Sequence, residues 1–193
     1  MQTTVGLVLA GGQSSRLGYD KTQVRHHGQT LLSRMADIVS QCCTTVYISC
    51  RNPAVNTTRF PSLLDETEQI GPVGGIVTAL RHFRQPVLAV ACDLPFMEKK
   101  ILVQLIHAYH RRPPETVAVA WKQAEASTVE SLVAVYDHTA LPFLEFGILN
   151  NNFKLQQLIP LHAWHTITYP SEYNHFFFNM NTPQDLYYID YTN

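Results

Sequence analysis

Two apolar runs in the first half of the chain restrict its fold more than any other feature. Val5–Ala10 and Val87–Ala91 are short, continuous and without polar side chains. Such runs suit central parallel strands that are covered on both faces. Between them lie two stretches of helical period. Leu31, Met35, Ile38, Val39 and Cys42 mark a helix over Thr30–Cys43. Val73, Ile76, Val77, Leu80 and Phe83 mark another, opened by Gly71-Pro72 and stopped before Pro86. Thr45–Ser49 and Phe60–Leu64 read as further strands, and Glu98–His110 as a third helix. This alternation predicts an α/β fold: a doubly wound, mostly parallel, Rossmann-like sheet. Its ligands belong outside the carboxyl ends of the strands.

The second half is less regular and predicts a mixed C-terminal part of the sheet. Strands are expected over Thr116–Trp121, Val129–Tyr136, Trp164–Tyr169 and Phe176–Met180, and helices over His138–Phe146, Asn152–Leu158 and Thr182–Ile189. A chain of 193 residues with 46% hydrophobic and 15% charged residues suits one domain over 1–193. It needs no disulfide or metal staple. The net charge of −1 offers no field for a long nucleic acid. Cys42, Cys43, Cys50 and Cys92 form no C-x-x-C pair and are expected to be reduced core residues of a cytoplasmic protein. No apolar run approaches the ~20 residues of a membrane span. The first strand begins so early that no signal peptide is expected.

The first strand leads into Gly11-Gly12, followed by Arg16, Gly18 and Lys21. Glycine lets a phosphate approach the backbone closely. Arginine offers a planar fork, and lysine a mobile point charge, to phosphate oxygens. The loop is not a P-loop, since no Gly-Lys-Ser/Thr opens a helix. It also lacks the G-x-G-x-x-G spacing, which disfavours a dinucleotide-dependent oxidoreductase. By itself it says only that something anionic binds here.

Three more residues stand at predicted strand ends or helix starts. Asp93 follows Val87–Ala91, where its carboxylate could hold Mg²⁺ together with substrate phosphates. It could equally cap the helix entered after Pro95. Asn181 is a candidate second oxygen ligand or a cap for the helix opened by Pro183, although Thr182 is the better-placed cap. Asp65 ends the predicted strand over Phe60–Leu64, where its carboxylate can accept a pair of adjacent N–H donors, or it belongs to a solvated acidic loop with Glu66 and Glu68. The spaced pairs His107/His110 and His162/His165 have no third partner at zinc-ligand spacing.

Leu9–Lys21 reads L-A-G-G-Q-S-S-R-L-G-Y-D-K. It resembles the signature of the nucleotidyltransferases that attach GMP to the molybdenum cofactor, and differs at Leu17, where Met is usual. Ile70–Ile76, Ala91–Phe96 and Phe178–Leu186 resemble three later segments of that family, in the same order. The resemblance implies a domain of the nucleotide-diphospho-sugar transferase type. It implies transfer of GMP from GTP to the phosphate of molybdopterin, with Mg²⁺, giving molybdopterin guanine dinucleotide and pyrophosphate. It assigns Leu9, Ala10, Gly11, Gly12, Lys21, Ser49, Asp65 and Asp93 to the nucleotide. Arg16, Lys21 and Asp93 would be catalytic, and Asp93 and Asn181 would hold the metal.

Ser49 departs from the family, which carries an asparagine there. CTP-using sister enzymes usually read L-A-A-G where this chain reads Leu9-Ala10-Gly11-Gly12, and the missing Cβ leaves room for a purine. Around Asn150–Asn152 the family often has basic residues, whereas this chain has only Lys154. The implied partners are GTP, molybdopterin or its molybdenum-loaded form, and delivery proteins of the same pathway, with no membrane. The alternatives are a CTP-dependent cofactor cytidylyltransferase, a sugar-phosphate nucleotidyltransferase, or a GTP-binding regulator without transfer activity.

Overall fold

A computed structural model describes residues 4–10, 24–26, 28–67, 70–180 and 185. Strand β1 (Val5–Leu9) is buried along its whole length. A two-stranded hairpin, β2 (Arg25–His26) with β3 (Gln29–Thr30), precedes helix α1 (Leu31–Ser40). Thr30 starts that helix by accepting the Ser33 N–H on its hydroxyl at 3.1 Å, an N-cap bond. Then come β4 (Thr45–Cys50), β5 (Ser62–Leu64), α2 (Pro72–Phe83), β6 (Val87–Ala91) and α3 (Lys99–Arg111). The second half supplies β7 (Ala118–Gln123), β8 (Val133–Tyr136), α4 (Leu141–Leu149), α5 (Leu155–Leu158) and β9 (Trp164–Tyr169).

Seven of these strands form one sheet in the order β5-β4-β1-β6-β8-β7-β9. β8 runs antiparallel to both its neighbours, and the other pairings are parallel. The chain moves outward from β1 through β4 to β5, then crosses back to β6 on the other side of β1. Strand order therefore reverses at β1, the position where doubly wound sheets open a ligand crevice.

Side-chain alternation along each strand feeds two cores. Val8, Leu88 and Val90 pack with α1 and α3, whereas Leu7, Leu9, Val87 and Ala89 pack with α2, α4 and α5. Gly6 lets α1 lie close to β1: a Cβ there would come within 2.4 Å of Val39 Cγ1. Cys43, Cys50 and Cys92 are buried, and all four cysteines are free thiols. Arg112 Nη2 pairs with Asp137 Oδ2 at 2.6 Å, and Tyr109 donates its hydroxyl to the same oxygen. This network follows the end of antiparallel β8 and so stands at the edge of the sheet opposite the carboxyl ends of β1 and β6. Among the described residues, no helix is long and apolar enough to cross a membrane.

The first half matches the sequence expectations closely, and the second departs from them. Over Val129–Tyr136 the strand occupies only Val133–Tyr136, because a turn closes at Val133 N–H to the Glu130 carbonyl (2.9 Å). Over Asn152–Leu158 the helix shrinks to Leu155–Leu158. Asn151 adopts a φ of 55°, and the Asn152 side chain accepts the Lys154 N–H, so local amide chemistry replaces the first helical turn. The strand expected over Phe176–Met180 is absent. A 3-10 stretch spans Ser171–Phe177 instead, which lets Phe176 bury while Phe177 stacks on Tyr169. The helix expected over Thr182–Ile189 lies outside the described residues apart from Asp185.

Candidate active site

The carboxyl ends of β1, β4, β5 and β6 stand side by side. The Cys92 N–H donates to the Leu9 carbonyl at 3.3 Å, and the Ala10 N–H donates to the Ser49 carbonyl at 2.9 Å. Leu9 and Ala10 are thereby fixed between β6 and β4, at the mouth of the crevice. Gly11, Gly12, Arg16 and Lys21 lie outside the described residues. Beyond them, Val24 packs with Leu31, Phe96 and Met180, so the described residues on both sides of 11–23 adjoin the segment that carries Asp93.

Asp93 sits two residues past β6 and is half-buried, with its Oδ1 out of contact with solvent. It does not cap a helix, because α3 begins only at Lys99 and Glu98 holds the cap position. The capping alternative left open by the sequence is thus removed. The Asp93 carbonyl accepts the Met180 N–H at 2.9 Å. This bond brings the residue before Asn181 against Asp93, although Asn181 itself lies outside the described residues. Among the described residues, no three His, Cys, Asp or Glu side chains converge as a metal cluster. Asp93 is then a hard oxygen donor that could provide only part of a coordination sphere. That suits Mg²⁺, which takes one or two protein carboxylates and completes its shell with water and phosphate.

Ser49 and Asp65 form the second part of the site. Ser49 is buried near the end of β4, and its hydroxyl donates to Asp65 Oδ1 at 2.7 Å. Asp65 follows β5, with its N–H on the Cys50 carbonyl at 3.2 Å. Burial pushes the Asp65 carboxyl above its usual pKa, while the Ser49 hydrogen bond and the positive charge of Arg51 pull it back in part. Its reading as a merely solvated acidic loop is at odds with this half-buried, hydrogen-bonded placement.

The sequence did not reveal what holds this pair. Three residues along one stripe of α2 meet the pair or the Glu66 that follows it. Gly75 is the point of closest approach: a Cβ there would stand 2.0 Å from Ser49 Oγ and 3.1 Å from Asp65 Oδ1. Three residues on, buried Thr78 accepts the Glu66 N–H on its hydroxyl at 3.0 Å. Three further, Arg81 bonds Glu66 Oε2 at 3.0 Å and Glu145 Oε1 at 2.8 Å. The i, i+3, i+6 spacing was visible in the sequence, but its target, a loop on another strand, was not. Gly71 holds the cap position just before the helix, and its φ of 68° and ψ of −154° suit only glycine.

A sheet of this order, with Asp93 at the switch point and half-buried Asp65 at the carboxyl end of β5, is the frame of a nucleotidyltransferase, the class to which the family match assigns the protein. Comparison with known proteins narrows the class. Residues 6–169 match the model of the MobA-like NTP transferase domain, and the chain belongs to that family. A probable molybdenum cofactor guanylyltransferase from Nostoc sp. is 32% identical over 190 residues, covering 96% of this chain and 90% of the relative. The solved structure of molybdopterin-guanine dinucleotide biosynthesis protein A from Archaeoglobus fulgidus is similar at a TM-score of 0.75 and 27% identity, with 96% of each chain covered. A nucleotidyl transferase from Methanothermobacter reaches the same TM-score of 0.75 at 14% identity, covering 99% of each chain, a likeness of fold alone.

Proposed function

We propose that the protein transfers GMP from GTP to the terminal phosphate of molybdopterin, in its metal-free or molybdenum-loaded form, with Mg²⁺ as cofactor. The observation that carries this reading is the placement of Asp93 and the Ser49–Asp65 pair at the same end of the sheet, on either side of the β1 end. The β1 end lies on one side of Asp93, the Met180 segment is bonded to its carbonyl, and the Ser49–Asp65 pair stands beyond β1. The names of the relatives support the same substrates.

The chemistry requires two anions to meet. An oxygen of the acceptor phosphate attacks the α-phosphorus of GTP and forms the new P–O bond. The bond from that phosphorus to the bridging oxygen breaks, and pyrophosphate leaves with the electron pair. The acceptor is already an anion near neutral pH, so no strong general base is required. Catalysis then rests on positioning and charge. Bound Mg²⁺ would neutralise phosphate charge as it builds up.

Asp93 and Asn181 would hold that ion. Arg16, Lys21 and the backbone of Leu9–Gly12 would hold the triphosphate and the departing pyrophosphate. Asp65, kept in place by Ser49, would accept the N1–H and 2-amino hydrogens of guanine. Asp93→Ala tests the assignment. Pyrophosphate release with Mg²⁺, GTP and molybdopterin should fall at least a thousandfold while the circular dichroism spectrum is retained. Turnover within tenfold of the parent would remove Asp93 from the metal site.

A further inference from the structure

The sheet beyond β6 carries a second half-buried carboxylate that GMP transfer, as described, does not use. Glu130 stands in the turn leading into β8. Its N–H donates to the Trp121 carbonyl at 2.8 Å, and its own carbonyl accepts the Val133 N–H at 2.9 Å. Tyr169, the last residue of β9, donates its hydroxyl to Glu130 Oε1 at 2.6 Å. On the other face, Gln156 of α5 holds the Val129 carbonyl at 3.2 Å. The turn is therefore clamped from both sides, over the carboxyl ends of β7 and β9.

That is the same end of the sheet as Asp93, because β6, β7 and β9 all point one way. The Ala91 N–H donates to the Leu132 carbonyl at 2.9 Å, so the turn runs directly beside the segment that leads from β6 to Asp93. β7 lies two strand spacings from β6, about 10 Å. On the opposite side, β5 and Asp65 lie three spacings from β6, about 14 Å.

A clamp alone has no need of a charge here, since a neutral amide oxygen would also accept from Tyr169. Burial disfavours the ionised carboxyl and raises its pKa, and the Tyr169 hydrogen bond offsets only part of this. Among the described residues, no cation forms an ion pair with it. A half-buried carboxylate with one oxygen fixed is the group that recognises two adjacent N–H donors. A pterin presents that pair at N3–H and its 2-amino group, as guanine does at N1–H and its 2-amino group.

We propose that Glu130, oriented by Tyr169, binds the pyrimidine edge of the pterin acceptor while the acceptor's phosphate reaches Asp93. The assignment rests on the guanylyl-transfer reading and extends it. The site is then bracketed by two carboxylates, Asp65 for the guanine and Glu130 for the pterin, with Asp93 between them at the reacting phosphorus.

The test is steady-state kinetics of the full chain with Mg²⁺, GTP and molybdopterin. Glu130→Gln keeps an oxygen for Tyr169 and should fold. It should raise the KM for molybdopterin at least tenfold, with the KM for GTP within twofold of the parent and a melting temperature no lower than the parent's. Tyr169→Phe should raise the molybdopterin KM by less than Glu130→Gln does. A parent enzyme that transfers GMP normally, with a molybdopterin KM in Glu130→Gln within twofold of its own, overturns the assignment and leaves the transfer reading intact. Equal rises in both KM values would also overturn it, since they mark a structural role. A parent enzyme that transfers no GMP to molybdopterin overturns the transfer reading itself.

Discussion

Ser49 and Asp65 come from different strands, yet the Ser49 hydroxyl meets Asp65 Oδ1 at 2.7 Å only because residue 75 has no side chain. A methyl at residue 75 would lie 3.0 Å from Ser49 Cβ as well as 2.0 Å from its Oγ, so rotation of the hydroxyl cannot fully relieve it. Over-packing of this kind costs about 1–3 kcal/mol. Alanine in a helix interior recovers about 1 kcal/mol relative to glycine. Gly75→Ala should therefore change stability by less than about 2 kcal/mol in urea unfolding. Its KM for GTP should rise severalfold, because the Ser49–Asp65 bond is displaced. Unchanged GTP kinetics would show that the pair does not serve the nucleotide.

Asp65 trades stability for recognition. Its folded pKa lies above its unfolded value, mainly through burial. For a carboxylate shifted this way, the favourable contribution is complete below the unfolded pKa and is lost as pH rises through the folded pKa. At pH 7 the ionised group is thus a net cost to the fold. Asp65→Asn, whose amide oxygen still accepts from Ser49, should be as stable as the parent or more so at pH 7. That advantage should shrink as pH falls through the carboxylate range. The same variant should bind GTP about 10- to 100-fold more weakly, in line with about 1.5–3 kcal/mol for hydrogen bonds to a charged group. Urea midpoints and GTP titrations across pH 4–8 check both halves.

Thr78 holds the turn after Asp65 through the Glu66 N–H at 3.0 Å. Thr78→Val keeps the shape and removes the acceptor, which leaves that N–H unsatisfied at a cost of about 1–3 kcal/mol. The expected kinetic signature is a raised KM for GTP with kcat nearly unchanged, restored by Thr78→Ser. A fall in kcat at constant KM would place Thr78 in a different role.

How much was legible in the sequence follows from the range of the forces involved. Val87–Ala91 and Trp164–Tyr169 appear with the expected bounds, because burial on both faces or alternation along a strand is written into the local pattern. The helix opening at Pro72 was announced by Gly71-Pro72. Ser49, Asp65 and Asp93 stand at the carboxyl ends where the alternation of strands and helices placed them. The aromatic run at Phe176–Phe178 misled, because consecutive apolar rings look like a strand. Here Phe177 is anchored by stacking on Tyr169, with ring centroids 4.5 Å apart. The Gly75–Thr78–Arg81 stripe and the Glu130–Tyr169 bond are contacts between distant elements. No local pattern announces such contacts, and they became visible only once the sheet order was known.

The central claim is transfer of a guanylyl group to a pterin phosphate, and nucleotide selectivity tests it most directly. The full chain would be incubated with molybdopterin and Mg²⁺, and with GTP, ATP, CTP or UTP in parallel. Both the pyrophosphate released and the dinucleotide formed would be measured. The account predicts molybdopterin guanine dinucleotide and stoichiometric pyrophosphate with GTP, at a kcat/KM at least a hundredfold above that of any other nucleotide. Equal or faster transfer from CTP, or pyrophosphate release that does not depend on molybdopterin, would contradict it.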